Sequence, residues 1–110
     1  MVLEYCKLST LYTVSAFTKV YSEPSAYVVI RQVTQALANC HKNKILHLDL
    51  KESNILIAHN QANMLDPLCG HLPIEFKLAD FGVSRDLNLK LTKNDYPVYK
   101  RGTPRYMAPE

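Results

Sequence analysis

Two polar loops, each mounted on short apolar runs, constrain this 110-residue chain more than any other feature. The run Lys44-Ile45-Leu46 leads into His47-Leu48-Asp49-Leu50-Lys51-Glu52-Ser53-Asn54, and Ile55-Leu56-Ile57 leads out of it. Further on, Phe76-Lys77-Leu78-Ala79 runs into Asp80-Phe81-Gly82. Short apolar runs of this kind suit buried strands. Strand ends are rigid mounts, so side chains at these junctions can be held as closely as chemistry requires. Taken singly, the residues have ordinary readings. Asp followed by Lys makes a solvated turn, Asn caps a helix, and Asp-Phe-Gly is a turn whose Gly permits a positive φ.

The order of the pieces overrides those readings. The loop from His47 to Asn54, an Asp-Phe-Gly about thirty residues after Asp49, and a closing Ala108-Pro109-Glu110 together resemble the catalytic half of a eukaryotic protein kinase. The resemblance implies an α+β fold class, a partial protein-kinase-like fold made mainly of the helical C-terminal lobe, with short β hairpins around the catalytic loop. It also implies ATP and Mg²⁺ as cofactors and a protein substrate accepting phosphate on Ser or Thr. In that scheme Asp49 accepts the substrate hydroxyl's hydrogen bond and eventually its proton, and Lys51 compensates charge on the terminal phosphate. Asn54 and Asp80 supply the hard oxygen ligands that Mg²⁺ prefers. Thr103 is expected to hydrogen-bond toward Asp49 and Lys51. Leu56 would floor the adenine ring, while His47 and Phe81 would stack in the core behind the loop carrying Asp80. Lys51 with Thr103 favours a Ser/Thr acceptor over tyrosine, and Gly102 to Glu110 resembles the tyrosine-kinase-like group. Glu110 would pair with an Arg in a later helix.

The same frame divides the chain into a hinge (1–10), a helical region (11–44), a catalytic loop (45–57), an insertion loop (58–73) and an activation segment (80–110). In the hinge, Leu3 would guard the back of the adenine pocket, and the backbones of Glu4 and Cys6 would bond the adenine edge. Thr10 falls near the ribose position, although Leu8 and Ser9 stand where the family often has two glycines. Residues 11–21 carry Val14, Phe17 and Tyr21 at helical spacing, which predicts a short helix despite many β-branched residues. Ser22-Glu23-Pro24-Ser25 marks the start of a second helix. Ala26, Ile30, Val33, Leu37 and Cys40 form its apolar stripe, with Arg31, Gln32, Gln35, Asn39 and Lys42 on the other side. The stretch from Ala58 to Pro73 reads as an exposed surface loop; His59, Cys69 and His71 in it lack the paired spacing of a metal site.

Two departures from the family pattern matter. Leu48 stands where the motif has Arg, and a Leu cannot receive a phosphate bidentately as guanidinium does. Phosphorylation at Ser84, Thr92, Tyr96 or Tyr99 is therefore expected to do little, leaving any tuning to Lys93, Lys100 or Arg101. The glycine-rich nucleotide clamp and its Lys are also absent: Gly70, Gly82 and Gly102 are the only glycines, none in a phosphate-cradling run. The chain is thus expected to be a kinase fragment, inactive by itself; the alternative is a non-catalytic pseudokinase or regulatory binding fragment. A net charge of +3 with no basic stripe argues against nucleic acid. No apolar run approaches membrane-spanning length, so no membrane partner is expected. Three cysteines without paired spacing fit a reducing intracellular, cytoplasmic setting. Oligomeric state leaves no trace in the sequence.

Overall fold

The computed structural model describes residues 6, 9–18, 22–58, 74–90 and 101–109, with the backbone alone at 17 and 18. The expected first helix forms as α1 (Leu11–Thr18). Thr10 starts it: its Oγ1 and its carbonyl both accept from the Thr13 amide, at 3.3 and 3.1 Å. Tyr21 lies outside the described residues, as does the side chain of Phe17.

The second helix, α2 (Glu23–Lys42), begins where the sequence places it. The Ser22 hydroxyl caps it by accepting from the Ser25 amide at 3.4 Å, and Pro24 sits where an amide would have had no partner. Its end is less ordinary. The Lys44 amide bonds back to the His41 carbonyl at 2.9 Å, with Lys44 at φ 62 in the left-handed region where Gly is usual. His41 and Lys42 in the last turn complement the helix dipole.

Four short strands follow: β1 (Ile45–Leu46), β2 (Ile55–Ala58), β3 (Glu75–Leu78) and β4 (Arg85–Asp86). They form two antiparallel pairs, β1 with β4 and β2 with β3. The pairs are nested in sequence. Leu46 faces Arg85 and Ile55 faces Leu78, so the loops 47–54 and 79–84 leave the two ladders side by side. The polar, two-residue β4 carries no alternation that would announce a strand, and it was not expected. Ser9 and Thr10 extend the β2 side: Ile57 donates to the Ser9 carbonyl at 3.1 Å, and Thr10 bridges to Leu56.

The core lies between α2, α1 and the β2–β3 pair. Leu11, Val33 and Ile55 are buried together, with Val29, Leu37, Phe76 and Leu78 packed against them. This corrects the expected stripe on α2. Ile30 is 64 % exposed, and Val29 takes the core position instead. Gln32, expected on the polar face, turns inward and binds the β3 edge. Its Nε2 donates to the Ile74 carbonyl at 2.7 Å and its Oε1 accepts from the Phe76 amide at 2.8 Å. A primary amide offers a donor and an acceptor together, so it can substitute for a neighbouring strand where the edge backbone would otherwise be unpaired. The rest of the expected stripe holds, with Val33 buried and Ala26, Leu37 and Cys40 half-buried. No helix among the described residues is long and apolar enough to cross a membrane.

Candidate active site

The nested ladders deliver two loops to one end of the molecule, and hydrogen bonds then join them. His47, 3 % exposed, sits at the junction. Its Nδ1 accepts from the Asp49 amide at 3.2 Å, so the hydrogen is on Nε2, which donates to the Ala79 carbonyl at 2.9 Å. Ala79 also donates its amide to the Asn54 carbonyl at 2.8 Å. The residue before Asp80 is thus held from both ends of loop 47–54. His47 and Phe81 meet with ring centroids 4.8 Å apart at an interplanar angle of 67°. The rings therefore pack edge to face, not stacked, as their quadrupoles favour. Phe81 keeps 41 % of its surface exposed, so among the described residues it caps the junction instead of lying in the core.

Asp49 anchors a dense network. Lys51 Nζ lies 2.7 Å from Asp49 Oδ2, and Thr103 Oγ1 donates to Asp49 Oδ1 at 2.6 Å. Lys51 Nζ also donates to Thr103 Oγ1 at 2.8 Å, closing a triangle of three side chains from two distant segments. Asn54 Nδ2 donates to the Asp49 carbonyl at 2.9 Å and to its Oδ2 at 3.2 Å. Side-chain exposures of 22 % for Lys51 and 10 % for Asp49 separate this ion pair from a surface pair screened by water. The Lys51 and Thr103 hydrogen bonds, with the Lys51 charge, outweigh burial and lower the Asp49 carboxyl from 3.8 to about 2.

Two backbone features shape the site. Leu48 (φ 66) and Asp80 (φ 61) both adopt the left-handed region, which L-residues enter at a cost of about 1–2 kcal/mol. Such strain persists where surrounding contacts over-determine it. At Asp80 the carboxylate Oδ1 accepts from the Gly82 amide at 3.1 Å, an approach that a Cβ on residue 82 would crowd at 3.0 Å. Gly102 (φ 107) lies flat on the Leu48 carbonyl; a Cβ there would fall 2.3 Å from that oxygen. Leu48 helps line a cavity of about 300 Å³ that has both apolar walls, Leu37, Leu46 and Met107, and polar ones, His41 and Thr103.

The oxygen donors fit Mg²⁺ in kind. Asn54 is buried, its Nδ2 is committed to Asp49, and its Oδ1 is the oxygen it could offer a cation. Asp80 is exposed, with one carboxylate oxygen on Gly82. No group of three or more His, Cys, Asp or Glu among the described residues forms a closed cage. One carboxylate and one amide oxygen suit a cation that retains water and takes phosphate oxygens.

The remaining expected positions are less engaged. Leu56 is half-buried in β2, and Cys6 is a half-buried free thiol. The Thr10 hydroxyl is within 3.1 Å of the Thr13 hydroxyl, at the start of α1. Leu3, Glu4, Glu110, the phosphorylation candidates Thr92, Tyr96 and Tyr99, Lys93, Lys100, and the insertion residues His59, Cys69 and His71 lie outside the described residues. Sequence reasoning assigned no contact to Gln32 or to Glu52, whose Oε2 accepts from Ser15 of α1 at 3.4 Å.

The protein kinase domain model matches residues 1–110. The chain is 39 % identical over 110 residues to the serine/threonine-protein kinase RUNKEL of Arabidopsis thaliana, covering all of this chain and 7 % of that protein. It is 36 % identical over 111 residues to serine/threonine-protein kinase 4 homolog A of Dictyostelium discoideum, again over the whole chain and 21 % of the relative. With the serine/threonine-protein kinase ULK3 of Xenopus laevis it shares 36 % over 110 residues, 20 % of that protein. The chain belongs to the protein kinase domain family. It spans about a fifth or less of the length of these relatives.

Proposed function

We propose that this chain is the catalytic-loop and activation-segment portion of an ATP- and Mg²⁺-dependent kinase that phosphorylates Ser or Thr on a protein substrate. The observation that carries the reading is the closed triangle of Asp49, Lys51 and Thr103, braced by Asn54. A carboxylate offers about four acceptor sites. Lys51 and Asn54 occupy Oδ2 and Thr103 occupies one site on Oδ1, leaving one site on Oδ1 for an incoming hydroxyl. Lowered to about 2, the carboxyl is ionised at neutral pH and accepts that hydrogen bond. So weak a base takes the proton only once the hydroxyl oxygen has bonded well to phosphorus, which suits a loose transition state. Asp49 then chiefly aims the nucleophile.

Lys51 holds Asp49 and Thr103 with two of its three ammonium hydrogens and has a third for a phosphate oxygen. Asn54 Oδ1 and the free oxygen of Asp80 would hold the metal, which would supply positive charge against the phosphates. On this reading residues 1–10 serve as hinge, 11–44 as helical region, 45–57 as catalytic loop, 58–73 as insertion and 80–110 as activation segment. Leu3, Glu4, Cys6, Thr10 and Leu56 would surround the nucleoside of ATP.

The test is phosphate transfer by the complete protein that contains this chain. Asp49→Asn should lower turnover by about two to four orders of magnitude with the KM for ATP within about threefold. The phosphate on the substrate should be on Ser or Thr. Unchanged turnover in Asp49→Asn removes Asp49 from the role.

A further inference from the structure

Residues 101, 102 and 103 each bind a different part of the site. Thr103 reaches Asp49 and Lys51, and Gly102 rests on the Leu48 carbonyl. Arg101 points the other way, back along its own segment: its Nη1 donates to the Val83 carbonyl at 3.4 Å and to the Ser84 carbonyl at 3.3 Å. Those two carbonyls occupy a defined place. The Ser84 amide and hydroxyl both bond to the Phe81 carbonyl, at 3.0 and 2.6 Å, closing a turn directly after Asp80. Arg85 then enters β4, which is paired to β1, the strand leading into His47. Arg101 therefore fastens the returning end of the segment to its departing end, at a point already fixed relative to the catalytic loop.

We propose that Arg101 is a positioning residue, whose guanidinium ties the returning segment to the turn after Phe81 and so sets Thr103 onto Asp49 and Lys51. The inference rests on the phosphoryl-transfer reading above for its kinetic arm only. Leu48 supplies no cation at the neighbouring position, and the tie seen is made by a cation within the segment itself. Carbonyl oxygens are neutral acceptors that need no added phosphate. A single nitrogen makes both bonds, so an ammonium at the same place can replace it.

The test compares Arg101→Met with Arg101→Lys in the complete protein, using myelin basic protein as acceptor. The Met variant should lose about tenfold in kcat with the KM for ATP within about twofold, and the Lys variant should stay within about threefold of the parent. In a Thr103→Ala background, Arg101→Met should add less than about a twofold loss. A second measurement needs no activity: amide hydrogen exchange at Tyr106 and Met107, which bond to the Thr103 and Pro104 carbonyls. It should quicken about tenfold in the Met variant, stay near the parent rate in the Lys variant, and leave α2 unchanged. Parent-like exchange in Arg101→Met, equal effects of Met and Lys, or acceleration spread through α2 each overturn the assignment. Asp49→Asn run alongside keeps the readings apart. If it retains turnover, Asp49 loses its assigned role, while the exchange data still decide the tie.

Discussion

Asp49 has every one of its committed lone pairs filled by a residue that the motif itself supplies, and its protonation follows from that. The carboxyl is lowered below its unfolded value, so it stabilises the fold fully above about 3.8, and that contribution is lost as pH falls through about 2. The expected outcome is an Asp49 carboxylate still ionised at pH 3, read from its ¹³Cγ shift in Asp-labelled protein. Lys51→Met should raise the midpoint toward 3.8, because it removes both the first hydrogen bond and the charge. A midpoint at or above 3.8 in the unsubstituted protein contradicts this account. At this scale the sequence was informative: Asp49, Lys51, Asn54 and Thr103 converge as the family resemblance implied. What it could not show was edge-on His47 and Phe81, because a motif specifies neighbours and not ring orientation. Nor did it show the left-handed Leu48, since only a fold that over-determines that position holds a Leu there.

The helix α2 shows where periodicity stops being sufficient. Counting apolar spacings found the helix, its Ser22 cap and most of its buried stripe but missed the contact made by Gln32, because that residue is polar. Gln32 satisfies two backbone groups at the β3 edge, and leaving such groups unpaired costs about 1–3 kcal/mol each when buried. Gln32→Leu should therefore lower the melting temperature of the complete protein by about 5 °C or more. An unchanged melting temperature counts against this bracing role. Strand β4 escaped the sequence for a related reason. Its pairing with β1 is dictated by where the Asp-Phe-Gly turn returns the chain, not by any preference of Arg85 or Asp86.

Across the described residues the buried apolar set is small: Leu11, Val33, Ile55, Ile57 and Ala58. Meanwhile Tyr12, Tyr27, Ile30, Leu87 and Leu89 each expose about half of their surface or more. A core of that size offsets little of the entropy of ordering a chain of 110 residues. The polypeptide by itself should bind a hydrophobic dye and melt without a cooperative transition; a sharp, reversible transition in calorimetry runs against this.

The β2–β3 pair has two ends of unlike character. At Ile55 and Leu78 it opens onto Asn54 and Asp80; at Ala58 and Glu75, roughly 10 Å away along the strands, it opens onto the long connection. Evolution can lengthen, shorten or decorate the chain at the second end without altering the spacing of Asn54 and Asp80 at the first. One added residue between Asn54 and Ile55 would shift the ladder and point every following side chain to the opposite face. Diversity within such a protein is thus free to accumulate on one side of a four-residue ribbon, while the other tolerates no change of length.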